Sequence, residues 1–272
     1  MSKTMSASRW PTYFIPHGGG PCFFMDTPPG MPKDMWDNMA DFLKGIDSDL
    51  GRRPRAVIVI SAHWQTRVPT VHTNPKPDLL FDYYGFPDHT YQLTYPVAGV
   101  PELAKEIQTH LKAGGFETAE ESQRGLDHGV FIPFKLIYPE ADVPMVQLSM
   151  LSSNDPDEHY KLGQALKPLR DDGVLIVGSG LSYHNLRAFF SPMDKPEAKA
   201  FDDWLTDSVM STEKRHERLN QWRSAPGAIQ SHPTPEHLLP LMVAAGAADG
   251  EPATHAYSGD VLGKAVSGYR FG

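Results

Sequence analysis

Five of the twelve histidines in this 272-residue chain fall where a ligand pocket would need them. His17, His63 and His184 each come just after a short apolar run that reads as a buried strand: YFIP before HGGGP, VIVISA before HW, and VLIVGSGLSY before HN. His128 in LDHGVFIP and His237 in HPTPEHLLPL stand at the starts of two predicted helices. In an open α/β sheet, ligands bind in the crevice beyond the carboxyl ends of the strands, so imidazoles delivered there from distant segments converge. Convergent neutral imidazoles are the donor set of a divalent transition metal. The chemistry they imply is that of a metalloenzyme.

The neighbours of each histidine sharpen this. His17 precedes Gly18, Gly19 and Gly20, a turn with no side chains to block approach; without GxGxxG or a Walker lysine it is no phosphate cradle. His63 follows the small residues Ser61 and Ala62 and has Trp64 beside it as a pocket wall. Asp127, next to His128, reads as the N-cap of a helix running from Gly129 to Tyr138. His184 lies among Ser182, Tyr183 and Asn185 with no carboxylate partner evident in the chain, and spacing leaves both a ligand and a general-base role open. The segment from His232 to His237 offers three donors. Thr234 as N-cap and Pro235 at the first helical position put Glu236 and His237 in one helical turn, about 100° apart, so only one of them faces a metal. This is not HExxH. Cys22 and the string GSGLS match no nucleophile pattern. Taken singly, each histidine reads equally well as a packed or surface residue; the repetition at strand ends favours a shared pocket.

The elements that must hold these residues alternate. Strands are predicted at 12–16, 56–61, 144–148 and 174–178, and helices at 35–43, 101–113, 158–169, 196–211 and 235–245. Leu103, Ile107 and Leu111 give the second helix one apolar face, and Pro101, Pro196 and Pro235 suit a first helical turn. The pattern predicts an α/β fold: a single domain over 1–272 with a central, largely parallel or mixed sheet flanked by helices. Residues 74–100, rich in Pro, Asp and Tyr, read as a long aromatic loop, and such loops serve as lids or binding loops.

Composition removes several classes of function. A net charge of −8 without a Lys/Arg stripe argues against nucleic acid as a partner. The single cysteine excludes a disulfide framework and a Cys-rich zinc site, and suits a reducing compartment. No stretch approaches the roughly 18–20 apolar residues of a membrane span. The N-terminus lacks a signal-peptide core, so a cytoplasmic location is expected. Oligomeric state is left open, a homo-oligomer included.

The ordered strings PHGGGP, VIVISAHW, YYGFP with TYPVAG, LDHGVFIPFKLIYPEADVPMVQLS, VGSGLSYHNL and HPTPEHLLPL resemble the class III extradiol ring-cleaving dioxygenases. They are most similar to the branch that contains the 4,5-DOPA extradiol dioxygenases, over about residues 12–245. The resemblance implies a mononuclear Fe²⁺ site, which Zn²⁺ can occupy, with His17, His63 and His237 as ligands. It implies His184 as the acid/base residue and His128 as a substrate contact and catalytic residue. The substrates would be a small catechol, DOPA-like or related, and O₂; the product would be of muconic semialdehyde type. Better-known members of the class use two histidines and a glutamate, so the choice between Glu236 and His237 stays open. No Lys or Arg stands out as the partner of a substrate carboxylate; Arg187, after HNL, is the candidate. Two other readings fit the same ligands: a zinc hydrolase and a metal-binding protein without turnover.

Overall fold

The computed structural model describes residues 9–189 and 195–272. Its strands are β1 (Thr12–Pro16), β2 (Ala56–Thr66), β3 (Thr70–His72), β4 (Ala119–Glu121), β5 (Met145–Leu151), β6 (Val174–Gly180), β7 (Ala253–Val261) and β8 (Lys264–Phe271). The helices are α1 (Asp37–Leu50), α2 (Pro101–Ala113), α3 (His128–Ile137), α4 (Pro156–Leu166), α5 (Leu186–Phe189), α6 (Lys195–Met210), α7 (Arg215–Asn220), α8 (Ala228–Ser231) and α9 (Leu239–Ala247). Among the described residues the strands form one mixed sheet in the order β4-β3-β5-β2-β6-β1-β8-β7.

The four apolar runs recognised in the sequence are its centre: β5, β2, β6 and β1 are mutually parallel. Parallel strands are buried on both faces, which is why they read as near-continuous runs of Val and Ile. Alternate side chains serve two separate cores. Ile58, Ile60 and Ile176 pack with α2, α4 and α9, while Val57, Val59, Leu175 and Val177 pack with α1 and α3. All four central strands therefore point their carboxyl ends the same way, and the histidines lie at that end.

The edges were not legible. β8 runs antiparallel to β1 and pairs with β7, and β3 runs antiparallel to β5. β3 and β4 are only three residues long, and β7 is only partly buried, so none of them shows a long apolar run in the sequence. The β7–β8 hairpin turns on Leu262 and Gly263, both at positive φ (55° and 81°). That geometry is the two-residue turn matched to strand twist, but Leu occupies a position where Asn, Asp or Gly is the usual signal.

Two helix boundaries moved for identifiable reasons. The predicted helix at 35–43 is α1, which continues to Leu50 and stops at Gly51 in the left-handed region (φ 61°). The predicted helix at 235–245 starts only at Leu239. Residues 235–238 form a turn instead, because the carbonyl of His237 accepts a hydrogen bond from Leu181 N (3.0 Å) just past β6. Gly180 permits this approach: a Cβ there would sit 2.1 Å from the His237 carbonyl oxygen. Glu236 and His237 thus do not share a first helical turn, and Thr234 does not cap a helix; its hydroxyl donates to Glu236 Oε1 (2.9 Å).

The far end of β6 is anchored by Arg170, whose guanidinium is fully buried. It donates to Glu251 Oε1 (2.9 Å) and Oε2 (2.7 Å) and to the carbonyls of Trp10 and Ala247 (2.6 Å each). Burial pushes the Glu251 carboxyl up, but the paired hydrogen bonds and charge of Arg170 outweigh it and hold it below the usual carboxylate range. A depressed carboxylate stabilises the fold above its unfolded pKa, near 4.3, and loses that contribution as pH falls through the folded value. Glu251→Ala leaves a buried guanidinium unpaired and is expected to cost about 3–5 kcal/mol at pH 7. Urea denaturation should show this deficit shrinking as pH is lowered towards 3; a deficit independent of pH would refute the assigned role.

Candidate active site

Each histidine is delivered by a distinct device. β1 leads to His17, whose N–H donates to Gly180 O (3.2 Å) and extends the β1–β6 ladder by one residue. β2 does not end before His63, as the sequence suggested; it bulges. Ile60 pairs with Leu148 and Gln65 with Met150, so residues 61–64 stand opposite Ser149 alone. Bulges beside functional sites re-aim side chains, and this one aims His63. His128 opens α3, His184 follows β6 with its N–H bonded to Ser231 O (2.9 Å), and His237 sits in the turn before α9.

The five rings converge. Centroid separations of 5.0 Å (His17–His63), 5.3 Å (His17–His237) and 4.9 Å (His63–His237) form a near-equilateral triangle. His128 lies 4.0 Å from His63, and His184 stacks on His237 at 3.3 Å. Donor atoms sort differently from rings: one nitrogen each of His17, His63 and His128 lie within 4.8 Å of one another, as do atoms of His184, Glu236 and His237. The ring triangle spans both groups.

The hydrogen bonds behind the rings assign the tautomers. Ser179 Oγ donates to Gly129 O (2.5 Å), so it accepts from His17 Nδ1–H (3.0 Å). His63 Nδ1 faces Asp82 Oδ2 at 3.8 Å, and His237 Nδ1 faces Glu236 Oε1 at 3.4 Å. His17 and His237 therefore keep Nε2 as a bare acceptor. His17 Nε2 and His63 Nε2 lie 3.2 Å apart. Imidazole nitrogens gathered this closely from separate segments are a donor set that fits a divalent metal. Burial also favours neutral ligands. It depresses His63 to about 4, with His128 adding to the effect and Asp127 and Asp82 opposing it. It holds His17 and His237 well below the ordinary imidazole value, neighbouring histidines contributing.

Several residues of this site were missed or misread. Asp82, in the aromatic loop, accepts both the His128 N–H (3.0 Å) and His128 Nδ1–H (2.8 Å) at the same oxygen. It thereby caps α3 from another segment and orients His128. Asp127 occupies the N-cap position, but its side chain caps nothing. It is fully buried and accepts from Ser61 Oγ (2.6 Å), Gln147 Nε2 (2.5 Å) and Arg124 (3.2 Å), tying β2, β5 and α3 together beneath the bulge. His184 has a carboxylate partner after all: Nδ1 is 3.5 Å from Glu236 Oε1. Burial raises the Glu236 carboxyl, yet its contacts with His184 and His237 prevail and hold it well below the ordinary range. No sequence spacing signals Asp82, or the place of Glu236 behind His184 and His237, since these partnerships join different elements or turn on a local backbone path. His232 is buried away from the cluster, with Nε2–H bonded to Ser182 O (2.8 Å). Arg187 is exposed on α5 and does not reach the site; its neighbours Leu186 and Phe189 do.

The histidines form the floor of a cavity of about 360 Å³. The 74–100 loop supplies Tyr83 and Phe86 to its wall, with the Phe86 ring packed against Gly20 of the His17 turn. Phe81 and Tyr91 pack behind Tyr83, whereas Tyr84 is 92% exposed. The loop therefore divides its aromatics between wall, support and solvent.

An α/β sheet carrying an imidazole-lined, metal-ready cavity beyond its parallel strands defines a class of metalloenzyme. The comparisons narrow it. Residues 11–271 match the family described as the catalytic LigB subunit of aromatic ring-opening dioxygenase. The chain is 42% identical to the 4,5-DOPA dioxygenase extradiol of Beta vulgaris, covering 87% of this chain and 86% of that one. It is 40% identical to the dioxygenase tasH of Hapsidospora irregularis (96% and 85%) and 34% identical to the 4,5-DOPA dioxygenase extradiol of Escherichia coli K12 (95% and 93%). The crystal structure of an uncharacterized Escherichia coli K12 protein superposes with a TM-score of 0.76 at 30% identity, over 97% of this chain and all of that one. The chain belongs to the LigB family and is a ring-cleavage dioxygenase. Its co-substrates are accordingly an aromatic ring and O₂. Among the described residues no helix is long and apolar enough to cross a membrane.

Ser179 is the support whose loss should be felt at the metal without touching it. Ser179→Ala is expected to weaken metal affinity about 10–100-fold, read by competition with a chromophoric chelator. Unchanged affinity would show that the His17 tautomer is set by something else.

Proposed function

We propose that the chain is a non-haem Fe²⁺-dependent extradiol dioxygenase, its 1–272 span acting as one catalytic domain, which opens a catechol beside its diol to a muconic semialdehyde-type product. One observation carries the reading: the rings of His17, His63 and His237 form a triangle 4.9–5.3 Å on a side, with two further imidazoles alongside. His17, His63 and His237 would hold the metal, leaving positions for substrate and O₂. His237 is preferred to Glu236 because its ring completes the triangle, while the carboxylate stands behind it at Nδ1. Iron held there would supply Lewis acidity towards the catechol and the means to activate O₂.

The protein's own groups handle the protons. His128 has its Nδ1–H committed to Asp82, so Nε2 is the atom that accepts a hydrogen bond from a substrate hydroxyl. His184 has its Nδ1 beside Glu236, so Nε2 is free to take the second hydroxyl proton. Glu236 then stabilises the imidazolium, and the same nitrogen returns the proton as the ring bond breaks. Tyr83 and Phe86 cover the floor and keep water from the reacting ring. Arg187 plays no part in this reading.

The test begins with anaerobic loading by Fe²⁺ or Zn²⁺, followed by O₂ and a panel of catechols. Oxygen uptake with a yellow ring-opened product is expected for iron and not for zinc. His184→Ala should retain stoichiometric metal and lose about 10²–10⁴-fold in turnover, the usual worth of a positioned acid/base. His237→Ala should lose the metal, and His128→Ala should keep it. Zinc-supported turnover without O₂ would instead establish the hydrolase.

A further inference from the structure

Beyond the histidine floor, the cavity wall is apolar. Met25, Met31, Met35 and Trp36 line one side, and Leu181 and Phe189 another. Among the described residues no Lys or Arg lines the cavity; the ionisable groups there, apart from the histidines, are the buried Cys22 thiol, the buried Tyr83 phenol and the exposed Asp26 carboxylate. Burial pushes that thiol up to about 12, so it carries no charge. Arg187 lies off the wall and exposed. A substrate whose diol occupies the histidine floor must place its ring substituent against these methionines and aromatics. A carboxylate on that substituent would be desolvated with no cation to pair with, beside a carboxylate of like charge. An alkyl or aryl substituent would gain from leaving water, and methionines adapt to irregular apolar shapes.

Resting on the extradiol reading above, we propose that the site selects catechols bearing an apolar, uncharged ring substituent and discriminates against those bearing a carboxylate. This sets the chain apart from relatives whose names specify DOPA, an amino acid. The discriminating element is the wall contributed by residues 25–36, which differs from the histidine floor in chemistry.

Anaerobic equilibrium dialysis of the Fe²⁺-loaded protein tests this without turnover. Three ligands of similar size suffice: 4-propylcatechol, 3-(3,4-dihydroxyphenyl)propionate and the methyl ester of that acid. The propyl compound and the ester are expected to bind at least about tenfold more tightly than the acid, the minimum implied by burying an unpaired charge. Across 4-methyl-, 4-ethyl- and 4-propylcatechol, affinity should rise about fourfold per buried methylene. Met35→Arg, which places a cation on the half-buried wall, should narrow or reverse the ester-to-acid ratio while leaving metal content unchanged. Equal or tighter binding of the acid by the unaltered protein would overturn this inference alone. Failure of all the catechols to bind would remove it together with the extradiol reading.

Discussion

Five imidazoles with ring centroids 3.3–5.5 Å apart cannot all turn protons towards one another, and in a buried site they cannot all be charged. Burial favours the neutral forms of His17, His63 and His237, which then need a partner for the one N–H each keeps. That requirement explains Ser179, Asp82 and Glu236, which stand behind the rings. It also explains the packing beneath them. Ser179 can accept from His17 only because its own proton is taken by Gly129 O, and Gly129 is held there by α3, which Asp82 caps. The polar network is thus continuous from β6 through α3 to the aromatic loop. Buried networks of this kind stabilise a single arrangement when every member is satisfied.

The network also divides labour between the two carboxylates. Asp82 serves His128 and faces His63; Glu236 serves His237 and faces His184. Each carboxylate therefore joins one proposed ligand to one proposed proton-handling or substrate-contacting residue. Because Asp82 belongs to the 74–100 loop, the segment that supplies the aromatic wall also orients a histidine of the floor. Displacing that loop would open the cavity and release His128 together.

The scaffold suits these demands because its central strands are parallel and its edges are not. Parallel strands bring β1, β2 and β6 out at one end, where a crevice forms. The antiparallel β8 and β7 extend the sheet beside β1, and the Arg170–Glu251 pair fastens the opposite end. Close backbone approach at Gly180 then seats the His237 turn on β6. A main-chain contact thus seats His237, while side-chain hydrogen bonds orient His17 and His128.

Much of this was written in local residue order. Buried strands announce themselves as unbroken Val/Ile runs, and amphipathic helices such as α2 by their period, so the α/β class, the central strands and the histidines at their ends were legible in the chain. What was not legible depends on partners distant in sequence. The bulge that aims His63, the turn that replaces a helix at His237, the trans-cap by Asp82 and the pairing of Glu236 with His184 all arise where two segments compete for one hydrogen-bonding group. Asp127 shows the limit most plainly: by local rule it is a helix cap, yet the hydroxyl of Ser61 and the amide of Gln147, brought by β2 and β5, claim its carboxylate first. The sequence by itself determined which residue types reach the end of the sheet. Only the tertiary structure decided their hydrogen-bond partners and the largely apolar wall they face, because those follow from which atoms end up close together once the strands are laid side by side.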